Sequence, residues 1–155
     1  MKKYQQGDVL FVEVPEGKWD FKQDGNKEVM IPSKTKDQPY RSYGHKTESQ
    51  STKNVDVITV AHGEATGHTH SFRMSQQASN VAITAYGGIK TRVGDVPEFI
   101  KITGNPAVIK HEEHNALTIP TGHYRVSIVR EFDHIAGTTR YVVDWWVFIL
   151  ITVII

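Results

Sequence analysis

The sequence predicts a mainly β protein, either a small barrel or a sandwich, and two observations support this fold class. Seven or eight short segments alternate apolar and polar residues or are rich in β-branched residues, which is typical of strands. Glycine and proline separate these segments, and long stretches with helical periodicity are lacking. The sequence contains no internal repeat, heptad pattern or phosphate-binding glycine loop.

The predicted strands lie in eight segments, with a long gap between the first and the second. They are residues 7–14, 55–61, the segment after Gly67, 81–86, 99–103, 107–110, 116–119 and 123–132. Residues 18–54 form a long polar excursion, with a candidate short strand at 29–31. Asp133 is a candidate N-cap for the one short helix that we predict, from His134 to about Val143.

The 155 residues are enough for one domain, which we place at 1–144, followed by an apolar segment at 145–155. Eleven helical residues would span only about 16 Å, against a hydrocarbon core of about 30 Å, so no transmembrane span is predicted. The β-branched residues of the segment 145–155 favour an extra strand. A core strand, a strand at a subunit interface and a membrane contact all remain open.

Composition narrows the classes of function. Net charge is +1, and the lysines and arginines are scattered, so we expect no nucleic-acid partner. The absence of cysteine excludes disulfides, thiolate ligands and a cysteine nucleophile. The N-terminus has no apolar signal segment, and we expect a cytoplasmic protein.

Four of the eight histidines lie in two short segments, Gly67-His-Thr-His70 and His111-Glu-Glu-His114. Imidazoles and carboxylates can form a metal site without cysteine. In a strand His68 and His70 share a face. The predicted ligand set is therefore either His68, His70 and His114 with a carboxylate, or His68, His70 and His111 with Glu113. The alternatives are a metal-free polar binding or catalytic cleft, and a coincidental clustering of histidines without a shared site.

Such a site suits a divalent metal, Zn, Fe, Mn, Ni or Co, with Glu64, Glu112 or Glu113 as the candidate catalytic proton acceptor. His62 is a candidate ligand or a candidate residue that orients the ligands, and His123 is a candidate residue that orients them. Asp8 and Glu13 are expected to be solvated, with Asp8 also a candidate turn residue. A metalloprotease helix is excluded because His111 and His114 are three residues apart rather than four.

Several motifs resemble a group of small, uncharacterised bacterial and phage proteins. They are Gln6-Gly-Asp-Val-Leu10, Gly63-Glu-x-Thr-Gly-His-x-His70, His111-Glu-Glu-His114, Ile119-Pro-x-Gly-x-Tyr-Arg-Val126 and Arg130-Glu-Phe132. The resemblance covers most of residues 6–144. It implies a bacterial cell or a phage-infected host, or association with a virion, and a site built from the matching histidines.

A weaker resemblance is to cupins, whose pattern has a glycine, His-x-His and a later Pro-x-Gly, as in Gly63, His68, His70, Pro120 and Gly122. It implies a β-barrel with an interior imidazole cluster. The chain departs from the pattern because Arg73 and Met74 stand where a glutamate is expected, and the second histidine group precedes Pro120.

The leading hypothesis is a β-rich protein whose histidine and glutamate cluster binds a divalent metal, either catalytic on a small-molecule ligand or structural. The alternative is a non-enzymatic phage structural or host-interaction protein that forms a homo-oligomer through the apolar strand at 145–155. The sequence leaves open whether the protein is an enzyme.

Overall fold

Sixteen strands are present among the described residues, so the prediction of a mainly β fold is confirmed. The computed structural model describes residues 1–15, 17, 19–32, 47–49, 55–62, 67–90, 94–133 and 138–141. The strands are β1 Lys3–Gln6, β2 Val9–Glu13, β3 Trp19–Asp24, β4 Lys27–Pro32, β5 Thr47–Glu48, β6 Val57–His62, β7 Thr69–Arg73, β8 Ala82–Tyr86, β9 Ile89–Lys90, β10 Asp95–Val96, β11 Phe99–Thr103, β12 Ala107–Ile109, β13 Leu117–Ile119, β14 Gly122–Ile128, β15 Arg130–Asp133 and β16 Thr138–Tyr141. In this part of the chain the helical structure is one 3-10 turn at Met74–Gln76.

The largest sheet is antiparallel and has the order β1-β2-β14-β11-β8. Side chains alternate between the two faces of a strand. In β11, Ile100 and Ile102 therefore pack into one apolar cluster, whereas Phe99 packs into another on the opposite face. This sheet is covered on both faces.

A second layer covers the face that carries Ile100. It consists of the hairpins β6-β7 and β12-β13, which are joined by two backbone hydrogen bonds of 3.0 Å between Ser71 and Lys110. The Phe11 and Phe72 rings meet between the layers, with centroids 6.2 Å apart. The described part of the chain thus fits a sandwich. None of its sheets closes into a barrel, because the largest one ends at β1 and β8.

The polar segment 18–54 is more ordered than predicted, because β3, β4 and β5 form a three-stranded sheet within it. Its strand at 29–31 is confirmed as part of β4. Asp24 pairs with Lys27, so Gly25 and Asn26 form a two-residue hairpin turn. Gly25 has φ +61°, a value that favours glycine at the first turn position. Trp19, Phe21 and Met30 cover the outer face of the large sheet beside Phe99.

The predicted first strand is wrong at its start. Gln6 pairs with Val9, so Gly7 and Asp8 form another two-residue turn, between β2, which the prediction covers, and its unpredicted partner strand β1. Gly7 has φ +57°, which favours glycine. The prediction that Asp8 is a turn residue is therefore confirmed.

The C-terminal predictions need two corrections. The expected strand 123–132 is divided at Val129, whose N–H donates to Asp8 O at 2.7 Å. The helix expected from His134 is wrong over Thr138–Tyr141, which pairs with β15 as a strand. Thr138, Thr139 and Tyr141 are β-branched or aromatic and favour this conformation.

The remainder of that helix and the apolar segment 145–155 lie outside the described residues. The division into 1–144 and 145–155 stays a prediction. Within the described ranges, no helix has the length and hydropathy needed to cross a membrane.

Candidate metal centre

His70 lies on the inner face of β7. Alternation along this strand directs His70 and Phe72 inward and Arg73 outward, and His70 is only 3% exposed. A buried imidazole needs hydrogen-bond partners, because burying an unsatisfied polar group costs free energy.

Gln6 supplies one partner and fixes the protonation of that ring. Its Nε2 donates to Asn115 O at 2.7 Å and to Ile109 O at 3.3 Å. These two bonds orient the amide, so that Oε1 lies 3.0 Å from His70 Nδ1. An amide oxygen only accepts, so Nδ1 carries a proton. A neutral His70 therefore keeps its lone pair on Nε2.

That nitrogen faces a carboxylate. His70 Nε2 lies 3.2 Å from Asp8 Oδ1, in the turn between β1 and β2. An unprotonated Nε2 and a carboxylate oxygen are both acceptors. Their approach therefore requires either a proton between them, carried by one of the two groups, or a metal ion. The expectation that Asp8 is simply solvated is corrected by this contact.

A bend after β12 brings two further imidazoles to the same place. The His70 and His111 ring centroids are 4.2 Å apart, and those of His111 and His114 are 4.5 Å apart. One nitrogen from each of the three rings lies within 4.8 Å of the others, so the group could hold a metal ion. We call His70, His111 and His114 the three-histidine cluster. It differs from both ligand sets expected from the sequence, each of which contained His68.

Gly7 makes room for this arrangement. A Cβ atom at Gly7 would collide with His114 Nε2 and lie 2.7 Å from its Cδ2. The turn glycine therefore provides both a positive φ and the close approach of the His114 ring.

The cluster must contract slightly to bind an ion. Two nitrogens at about 2.0–2.1 Å from a tetrahedral metal are about 3.4 Å apart, and the nitrogens of the group lie within 4.8 Å of one another, so no separation must shrink by more than about 1.4 Å. The Asp8 to His70 distance already has the required size. His111 must also change partner, because its Nδ1 now accepts a hydrogen bond from the Glu113 N–H at 3.1 Å. An imidazole that binds a metal through Nε2 carries its proton on Nδ1.

His68 lies beside the cluster rather than in it. β7 begins at Thr69, so His68 precedes the strand and does not share the inner face of His70. Its ring centroid is 5.7 Å from that of His111, and its Nδ1 is 3.3 Å from Glu113 Oε1.

Glu112 ties the two histidine segments together. Its Oε2 accepts a hydrogen bond from the Thr69 N–H at 3.0 Å. Burial acts to raise the pKa of the Glu112 carboxyl. The backbone N–H groups of Thr69 and Glu112, with His111 and His68 nearby, outweigh burial and lower that pKa below its ordinary value. The carboxylate consequently stays ionised and keeps β7 next to the bend.

Two further predicted site residues, His62 and His123, contact other parts of the protein. The His62 ring lies beside Gly94, and the His123 ring stacks on Phe21 with centroids 4.3 Å apart. Glu64 lies outside the described residues. The predicted roles of His62, His123 and Glu64 stay predictions.

Gln6 and Gly7 are not among the site residues predicted from the sequence, and Asp8 was expected to be solvated rather than to face a histidine. The available signal was the Gln6-Gly-Asp8 tripeptide, in which a turn glycine is flanked by an amide and a carboxylate. Nothing in the sequence indicates that this turn packs against a bend more than 100 residues later.

Comparison with known protein families finds a match over most of the chain. Residues 5–129 match the family model of a domain of unknown function (DUF8820). No curated protein and no solved structure shows significant similarity to the chain.

Proposed function

The chain belongs to this family of unknown function, DUF8820, and from its geometry we propose that it binds a divalent transition metal through the three-histidine cluster and Asp8. Nitrogen and oxygen donors without sulfur suit Zn, Fe, Mn, Ni or Co. The proposal depends most on one observation: His70 Nε2, with Nδ1 protonated by its bond to Gln6, points at a carboxylate 3.2 Å away. Ligating histidines generally donate their other ring N–H to a hydrogen-bond acceptor, and for His70 that acceptor is Gln6 Oε1.

The burial of the ligands favours a centre that small molecules can reach. His70 is buried, whereas His111 and His114 are half-buried at the protein surface. A bound divalent ion would supply Lewis-acid chemistry and a more acidic water. Glu113 lies next to His68, with Oε1 3.3 Å from His68 Nδ1, and its carboxylate is our candidate proton acceptor. Because three imidazoles and Asp8 would close a tetrahedral shell, action on a small-molecule ligand requires a fifth coordination position, on the half-buried side of His111 and His114. With that position, we favour a metal centre that acts on a small-molecule ligand over a purely structural ion.

Metal analysis of untagged protein tests the proposal. We expect about one equivalent of metal in the wild type, and much less in His70→Ala and Asp8→Asn after identical dialysis. Asp20→Asn, an exposed carboxylate on β3, is the matched control and should retain wild-type content. Equal trace levels in all four proteins would rule out the metal centre.

The second class, a self-associating phage structural or host-interaction protein, stays a prediction. Its key segment, 145–155, lies outside the described residues. Comparing the size-exclusion behaviour of the full chain with that of a chain lacking this segment tests it, since a monomer in both cases would exclude assembly through that strand.

A further inference from the structure

A cleft of about 230 Å³ adjoins the metal centre on the outer side of β7. Its lining includes Thr69, Ser71, Arg73, Lys110, His111 and Glu112. The volume is enough for several waters, and it is smaller than the roughly 300 Å³ at which drug-sized pockets begin. The cleft therefore suits a small molecule.

Strand pairing explains why two cations line this cleft. Thr69, Ser71 and Arg73 alternate with His70 and Phe72, so they share the outer face of β7. Ser71 exchanges both backbone hydrogen bonds with Lys110, which places the Lys110 side chain beside Ser71 on that same face.

The charges are divided along the cleft. Glu112 is bound to the Thr69 N–H at one end, next to His111. Arg73 is four residues further along β7, about 13 Å away at 3.3 Å per residue. The end distant from Glu112 is thus cationic, while the His111 end borders the three-histidine cluster. Arg73 and Lys110 are both exposed, so they can reach a ligand without rearranging the core.

We propose that this cleft binds a small oxyanion, a phosphate or a carboxylate, between Arg73 and Lys110. An arginine guanidinium matches the oxygens of either group bidentately, and a lysine ammonium adds a point charge. A molecule anchored in this way extends toward His111 and the metal centre. The inference deepens the proposed function by naming the substrate class, but the anion site itself does not need the metal.

Calorimetric titration of chelator-treated, metal-free protein with inorganic phosphate and, separately, malonate tests the proposal. Ionic strength is held constant, because exposed charges are screened by salt. We expect saturable binding of at least one of the two anions, and the stronger one identifies the anion type. Arg73→Gln and Lys110→Gln should each weaken binding about fivefold, the effect of one charge pair at about 4 Å in water.

Lys22→Gln, an exposed cation on β3, is the matched control and should bind like the wild type. Lack of saturable binding of both anions would overturn the proposal, and so would equal weakening by Lys22→Gln and Arg73→Gln. Because the titration uses metal-free protein, its failure is distinct from failure of the metal centre, which metal analysis reports.

Discussion

Gln6 controls the protonation of His70 through three hydrogen bonds, and it is the residue on which the chemistry of the centre most depends. Its two donated bonds to backbone carbonyls orient the amide oxygen toward Nδ1. Without that acceptor, the imidazole is free to place its proton on Nε2 and to rotate away from Asp8.

We expect Gln6→Ala to lower metal affinity by about 10- to 100-fold, the usual effect of removing the partner of a ligating histidine. It should also cost about 1–3 kcal/mol of unfolding free energy, because Gln6 is buried and two carbonyls lose their donor. Competition with a chelating dye and urea unfolding measure these quantities. Gln23→Ala, in which an exposed glutamine loses a similar bond to a turn carbonyl, should change neither.

Gly7 and Gly25 form a natural pair for testing the close approach of His114. Both occupy the first position of a two-residue hairpin turn, with φ +57° and +61°. A Cβ on Gly7 collides with the His114 ring, whereas a Cβ on Gly25 meets nothing within 4 Å.

Alanine at either position should cost about 1–2 kcal/mol of unfolding free energy, because both substitutions force a left-handed conformation. Only Gly7→Ala should weaken metal binding, by about tenfold or more, since it alone displaces a ligand ring. Equal metal affinity in the two variants would contradict the placement of His114.

At the scale of elements, the hairpin β3-β4 is fastened to the large sheet by a polar network as well as by apolar packing. Glu28 on β4 accepts hydrogen bonds from Lys101 on β11 and Tyr86 on β8, both at 2.7 Å. Burial acts to raise the pKa of Glu28, but the bonds from Lys101 and Tyr86 outweigh it and hold that pKa below its ordinary value. Burial and the Glu28 carboxylate raise the pKa of Tyr86.

This network makes stability depend on pH. Because the pKa of Glu28 is lower in the folded protein, its contribution is complete above the ordinary value and is lost as the pH falls below it. We expect Lys101→Met to cost about 1–3 kcal/mol at pH 7 and progressively less in acid. Urea unfolding across this pH range, with Lys22→Met as control, measures the effect. A cost that stays constant with pH would contradict the account.

The elements also show what local sequence could and could not predict. Phe99–Thr103 was predicted with its observed bounds, because a run of apolar and β-branched residues is closed by Gly104-Asn-Pro106. The hairpin β3-β4 was underestimated because its outer residues are polar, and its apolar residues pack on a sheet distant in sequence. The helix predicted from His134 is wrong because Asp133 ends a strand instead of capping a helix.

The whole molecule explains why the site was only partly predictable. Histidine spacing indicated which residues bear the chemistry, but the assembly joins a turn at residues 7–8, a strand at 69–73 and a bend at 111–114. These parts meet only because two layers pack around Phe11 and Phe72. The order of the layers is a tertiary property, so Gln6 and Asp8 could not be assigned from their neighbours in sequence.

Metal binding to this assembly should stabilise the entire fold, because the ligands come from several elements. At about 100-fold excess of free metal over its dissociation constant, the gain is about 2.7 kcal/mol, or roughly 5–10 °C in Tm. Thermal unfolding with and without chelator measures it. The increase should vanish in His70→Ala, and an equal increase in that variant would show that the metal binds elsewhere.

X-ray absorption spectroscopy of the zinc-loaded protein tests the convergence of the three imidazoles most directly. We predict a first shell of three imidazole nitrogens and one oxygen at about 2.0–2.2 Å, with one imidazole lost in His114→Ala. A first shell that contains only oxygen ligands would contradict the account. A shell with one imidazole, unchanged by His114→Ala, would contradict it as well.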